Sequence, residues 1–148
     1  MRVLWISPGF AANENDTSCI PPLQLLALEL KNMGVDLNIV TLAYPYTPNP
    51  YTWNSISIKP AYGRNRIKLR WINWIKAYRC ALKLYSEKKF DIIHSFWLGP
   101  SWLIGKFLSK TLSIPHVTTL MGQDVLKTNL YLYLLKSRDV SRMISVSP

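Results

Sequence analysis

Short apolar runs alternate with segments of helical period along this whole chain, and that alternation restricts it to a sheet with helices laid across it. Val3-Leu4-Trp5-Ile6-Ser7 ends in Pro8-Gly9, the mark of a buried strand. A polar loop over 11–18 precedes Pro21 and Pro22, which suit a first helical turn where a missing N–H costs nothing. Thr17 or Ser18 is expected to cap that helix, Leu23, Leu26, Ala27 and Leu30 to form its buried face, and Gly34 to stop it. Residues 37–42 form the next strand. A strand–helix–strand unit implies a parallel pair with a right-handed crossover.

The remainder repeats the pattern. Residues 44–55 read as a loop rich in proline and aromatics, whose rings offer either a stiff connector or faces for a sugar. Residues 55–59 alternate as a third strand. A basic segment then places Ile67, Trp71, Trp74, Ile75, Tyr78, Leu82 and Tyr85 on one helical face. Strands are expected at 90–96, 115–120 and 142–147, with helices at 102–112 and around 130–138. The fold class is therefore α/β, a doubly wound parallel sheet of Rossmann-like type, built as one domain over residues 1–148.

Composition narrows the setting. A hydrophobic fraction of 49% with 18% charged residues supplies one ordinary core. The longest apolar run, 130–135, falls far short of the roughly 20 residues a bilayer span needs. Met1-Arg2 leads straight into a strand, without the pattern of a signal peptide, so a cytoplasmic protein with reduced Cys19 and Cys80 is expected. The net charge of +10 is local: nine basic residues stand between Arg64 and Lys89, against Glu87 alone. The strand pattern running to Pro148 without a closing element reads as a cut at a domain boundary, with a C-terminal domain expected beyond it.

Several chemistries find no motif. No GxGxxG follows the first strand, and Gly99 to Gly105-Lys106-Phe107 has the wrong spacing for a phosphate loop, with Phe107 where a magnesium-binding hydroxyl belongs. There is no HExxH, no Cys/His metal spacing and no nucleophile elbow, so neither a metal nor a resident cofactor is expected. Polar and glycine residues cluster instead after strands, where a doubly wound sheet binds its ligands. Ser7-Pro8-Gly9-Phe10 follow the first strand, His94, Trp97 and Gly99 the fourth, and Met121-Gly122-Gln123-Asp124 the fifth.

These residues resemble the N-terminal half of a GT-B fold glycosyltransferase of the large retaining family 4. Leu26-Ala27 with Leu30 and Gly34 is similar to that family's first helix and its stop. Phe90-Asp91-Ile92-Ile93-His94 with Trp97 is similar to its "DxIH" strand, and Ile114-Pro115 through Thr119, Gly122 and Asp124 to its "IPxVxTxHGxD" segment. Ile144-Ser145-Val146-Ser147 is similar to the strand ending in "VS". Two positions depart: Thr17-Ser18 stand where the family has a Gly-Gly pair, and Met121 where it has His.

The resemblance implies a nucleotide-sugar donor as co-substrate and a glycan or lipid-linked acceptor, with most of the nucleotide held by the second domain. It implies Gly9, His94, Gly122 and Asp124 as acceptor-side or donor-sugar contacts, and Ser18 beside them at the place of the family's Gly-Gly pair; the rim position adds Phe10, Trp97 and Gln123. No catalytic side chain is singled out, since such transfer rests on positioning and stabilisation of the departing diphosphate. The isolated 148 residues are then expected to be inactive.

The basic helix keeps three readings: a solvated face, a cationic surface for anionic lipid at the inner face of the membrane, or a nucleic-acid surface without any recognised module. Arg66, Arg70, Trp71, Trp74, Lys76, Arg79 and Lys83 would form the lipid-facing set. The rival to sugar transfer is a free-standing α/β module for nucleotides, membranes or nucleic acid.

Overall fold

A computed structural model describes residues 1–61, 70–140 and 142–145. The strands are β1 (Arg2–Gly9), β2 (Asp36–Tyr44), β3 (Tyr51–Trp53), β4 (Ile56–Pro60), β5 (Ile92–Phe96), β6 (His116–Leu120) and β7 (Met143–Ser145). The helices are α1 (Pro21–Asn32), α2 (Arg70–Glu87), α3 (Pro100–Leu112) and the short α4 (Ser137–Val140). The strands join one sheet in the order β3-β4-β2-β1-β5-β6-β7, parallel throughout except for the β3–β4 pair.

The central strand explains both layers. Val3 and Trp5 point to one face and join Leu23 and Ala27 of α1. Leu4 and Ile6 point to the other and join Ala77, Ala81 and Leu84 of α2 with Ile104 and Leu108 of α3. All four β1 side chains are essentially fully buried, as expected of a parallel strand covered on both faces. The alanines of α2 are the small side chains of its packed face. The doubly wound α/β class is therefore confirmed.

Details differ from the sequence expectations. The stretch 44–55 is not all loop: Tyr51–Trp53 pairs antiparallel with β4 through a two-residue turn, Asn54-Ser55, both at positive φ (45° and 63°). That is the geometry a right-twisted hairpin favours, and Asn tolerates it better than most residues. Neither Thr17 nor Ser18 caps α1. Ile20 occupies the N-cap in a left-handed conformation with no side-chain cap. The residue before a proline is disfavoured from right-handed helical geometry, and Ile20 precedes Pro21. Leu26 is exposed, and buried Gln24 lies near Leu23 and Ala27 instead, its amide donating to the carbonyls of Asp16 and Cys19.

Gly34 does stop the helix. At φ +79° it donates to the Lys31 carbonyl while Val35 donates to that of Leu30, the paired bonds of a Schellman end. The expected helix around 130–138 divides into a 3-10 segment, Leu130–Leu134, and α4. Asn129 caps the 3-10 segment by accepting from the Tyr131 amide. On α2, Trp71 (58% exposed) and Ile75 (48%) leave the packed face expected of them, while Trp74, Tyr78, Leu82 and Tyr85 keep partial contact with the core. Ile67 and Arg66 lie outside the described residues. Cys19 and Cys80 are free thiols. Among the described residues no helix is long and apolar enough to cross a membrane.

Candidate functional site

Sheet topology offers a candidate site. After β1 the chain turns to α1 on one face; after the adjacent β5 it turns to α3 on the other. Divergence of neighbouring connections opens a crevice beyond the C-terminal ends of the strands, where doubly wound sheets bind ligands. Three loops border it. Ile20 from the first, Trp97 from the second and Met121 from the third all pack, half-buried, against the same core cluster. The rim is thus a single assembly of loops.

Each loop is held by specific bonds. In the first, Asp16 is the hub: its carboxylate accepts from the amides of Ala12 (2.9 Å) and Cys19 (3.3 Å), the Ser18 hydroxyl (3.1 Å) and the Tyr44 hydroxyl (2.8 Å). The Ala12 amide does most to hold its pKa below the usual carboxylate range. In the second, Trp97 adopts φ +65°, uncommon for a bulky residue, and its amide donates to the Thr119 carbonyl (3.0 Å). A residue held there costs about 1–3 kcal/mol, and such outliers gather at binding sites. In the third, Gly122 lies at φ +97°, ψ −57°, which requires glycine.

Asp124 ties two loops together. Its carboxylate accepts from the Met121 amide (2.7 Å), and the backbone of Leu98 also bonds it. Burial raises its pKa against these bonds. Asn129 completes the lock, its amide donating to the carbonyls of Leu98 (2.9 Å) and Asp124 (2.7 Å).

The expected site residues therefore divide. Gly122, Gln123, Ser18 and half-buried Trp97 present surface at the rim. Phe10 does not: it is fully buried, edge-on to Trp53 with centroids 5.0 Å apart. Gly9 has a packing reason, since a Cβ there would lie 3.3 Å from the Tyr44 Cβ where β1 and β2 crowd together. Buried Asp124 organises loops rather than lining the opening. His94 lies within β5, below the rim, its Nε2 2.8 Å from the Thr119 hydroxyl and its ring against Phe96 at 4.3 Å. Desolvation depresses its pKa to about 4. Asp16 and Asn129 were missed by sequence reasoning, as was the bond from Tyr44, a ring of the expected aromatic loop, to Asp16; the only signal was a cluster of Asn and Asp in a loop, which marks turns generally.

Gly105, the second glycine of the rejected phosphate-loop pattern, has its own explanation. It sits on α3 against buried His116, where an added Cβ would meet the Nε2 at 2.4 Å. That nitrogen is 2.8 Å from the Ser95 hydroxyl, which in turn reaches Thr118 at 2.9 Å. Among the described residues no group of three or more His, Cys, Asp or Glu could hold a metal ion.

A second surface lies on α2. Trp71, Ile75, Arg79 and Lys83 follow one another at four-residue steps on its outward side, with Lys76 beside them, opposite buried Ala77, Ala81 and Leu84. Trp74 is only partly exposed, and Arg70 opens the helix.

Comparison with known proteins agrees with this build. The model of a family described as glycosyl transferase 4-like matches residues 10–144. An uncharacterized glycosyltransferase of Methanocaldococcus jannaschii is 38% identical over 60 residues, covering 40% of this chain and 17% of that protein. Sucrose-phosphate synthase from Thermosynechococcus elongatus superposes with a TM-score of 0.65 at 14% identity, over 95% of this chain and 37% of its own. The UDP-GlcNAc 2-epimerase of M. jannaschii gives 0.54 at 16% identity, over 96% and 36%. The chain thus spans well under half the length of these relatives.

Proposed function

This chain belongs to the glycosyl transferase 4-like family, and from that premise we propose that it forms the acceptor-side domain of a retaining glycosyltransferase that uses a nucleotide-sugar donor. The observation that carries the proposal is the convergence of three rim loops on one core cluster, at the crevice between β1 and β5. The acceptor is a cell-envelope glycan, a lipid-linked sugar or a polysaccharide. A separate C-terminal domain holds the nucleotide; the much greater length of the relatives supports this division.

The residues of this half act by placement. Gly122 leaves open space at the rim, with no atom within 4 Å of where a Cβ would stand. Trp97 offers a ring held by its strained backbone, and Gln123 and Ser18 offer polar groups. Holding acceptor and donor sugar in reacting geometry can account for several kcal/mol of a barrier. Asp124 and Asn129 keep the two loops at fixed separation. The 148 residues alone should show no transfer, because the groups that stabilise the departing diphosphate lie in the other domain; measurable transfer by the isolated chain would refute that division.

The outward stripe on α2 favours a second element: reversible docking on anionic lipid at the inner membrane face. Exposed Trp71 and Ile75 among Lys76, Arg79 and Lys83 combine an interfacial aromatic with cations. Each cation near such a surface contributes about 1 kcal/mol. Co-sedimentation with phosphatidylserine-containing vesicles is expected to exceed that with neutral vesicles, to fall at high salt, and to drop further in Trp71→Ala. Equal binding to both vesicle types would remove the lipid surface from the proposal. Nucleic acid is the less favoured partner, since no base-reading module accompanies the charge.

A further inference from the structure

An aromatic cleft of about 370 Å³ opens at the C-terminal end of β2, beside the first rim loop. Tyr44, Tyr46 and Tyr51 supply rings to it, and Thr47 and Asn49 supply polar side chains. We infer that this cleft is a carbohydrate subsite that stacks a pyranose ring of the acceptor, an inference that rests on the acceptor-side reading above.

Two of the rings are fixed in advance. The Tyr44 hydroxyl donates to Asp16 at 2.8 Å, and the Tyr51 hydroxyl donates to the Ala11 carbonyl. Tyr46 meets Tyr44 edge to face, with centroids 5.6 Å apart at 88°, and is 54% exposed. Rings held before binding lose little freedom when a ligand arrives. The same Asp16 that organises the first rim loop thus also orients the cleft wall.

Size and chemistry select the occupant. The volume lies within the roughly 300–1,000 Å³ of small-molecule sites. A pyranose has an apolar C–H face suited to a tyrosine ring and hydroxyls suited to Thr47 and Asn49. The lining is mostly apolar, with Pro45 and Pro50 beside the three rings, but the cleft opens to solvent, and an aliphatic chain gains most from an enclosed trough. Its place follows from the backbone: Phe10 donates to the Tyr44 carbonyl (3.2 Å) and Gly9 pairs with Tyr44, so the cleft adjoins the end of β1 and the crevice. An acceptor chain seated there would run beside the first rim loop, which Ala12 and the Tyr44–Asp16 bond join to the cleft.

Saturation-transfer NMR and calorimetric titration of the full chain test this, with cellotriose, chitotriose and mannotriose as probes and no donor present. At least one trisaccharide should bind, with saturation concentrated on ring C–H protons. Tyr46→Ala, at an exposed position, should weaken binding about tenfold, while Tyr46→Phe, which keeps the ring, should stay within about twofold. Failure of all three probes to bind the wild type, or wild-type binding by Tyr46→Ala, would overturn the inference. So would binding of geranyl phosphate, lost in Tyr46→Ala, with no trisaccharide bound. Transfer is not part of the readout. Trisaccharide binding without transferase activity in the gene-length protein removes the activity and leaves the cleft; activity without trisaccharide binding does the reverse.

Discussion

Replacing Gly105 with alanine is expected to destabilise the fold by about 2–4 kcal/mol, read as a fall in urea midpoint. The sign runs against helix propensity, by which alanine in a helix interior should gain roughly 1 kcal/mol over glycine. The reason is contact. A Cβ at Gly105 would stand 2.4 Å from His116 Nε2 and 2.9 Å from its Cε1, and both residues are buried between α3 and β6. His116 cannot turn aside without giving up the contacts of its Nε2 with the Ser95 and Thr118 hydroxyls, which would leave that nitrogen unpaired in the core. In a double-mutant cycle, Gly105→Ala should cost much less in a His116→Ala background, where the new methyl group has room. Equal costs in both backgrounds would place the strain elsewhere.

Acid should unfold the protein through its two histidines. Burial holds both His94 and His116 near pKa 4, against an ordinary value of 6.5. Below pH 6.5 the unfolded chain takes up protons that the folded chain refuses until about pH 4. Stability from neutral histidines is therefore complete above pH 6.5 and lost as the pH falls through that window. Each shift corresponds to about 3 kcal/mol. The carboxylates of Asp16 and Asp36, held low by hydrogen bonds, add to the loss only at lower pH. Asp124 runs the other way, since burial raises its pKa and acid relieves the cost of its charge. Urea midpoints measured from pH 7.5 to 4 should fall steeply below 6.5, and His94→Gln should flatten the slope by about half. A midpoint constant down to pH 4.5 would contradict the desolvation of the two rings.

Much of this architecture was legible in the residues, for physical reasons. Parallel strands buried on both faces must be continuously apolar, and Val3-Leu4-Trp5-Ile6 is so. A helix that ends in a left-handed turn wants glycine, and Gly34 supplies it. Other features depend on contacts distant in sequence. β3 hides in a proline-rich stretch because an edge strand can be three residues long and needs only its partner β4. The face of α2 was legible only in part: Trp74, Tyr78, Leu82 and Tyr85 pack against the core as their spacing implies, but small Ala77 and Ala81 fill its centre, and Trp71 and Ile75 face outward. The site followed the same division. Its position at the strand ends follows from topology, but which residues line it depends on side-chain direction. Phe10 turned inward and His94 lies below the rim, whereas Asn129, unremarkable in sequence, ties two loops across 31 residues of chain.

The central claim is that this domain places an acceptor for sugar transfer from a nucleotide donor held by a second domain. Its most direct test is to purify the gene-length protein containing these residues, supply radiolabelled UDP-, GDP- and ADP-sugars with envelope lipid and polysaccharide extracts, and measure label in the acceptor fraction. The expected result is label transferred from one class of donor by the gene-length protein, and none by residues 1–148. No transfer from any of the donors, or equal transfer by the 148 residues alone, would contradict the claim.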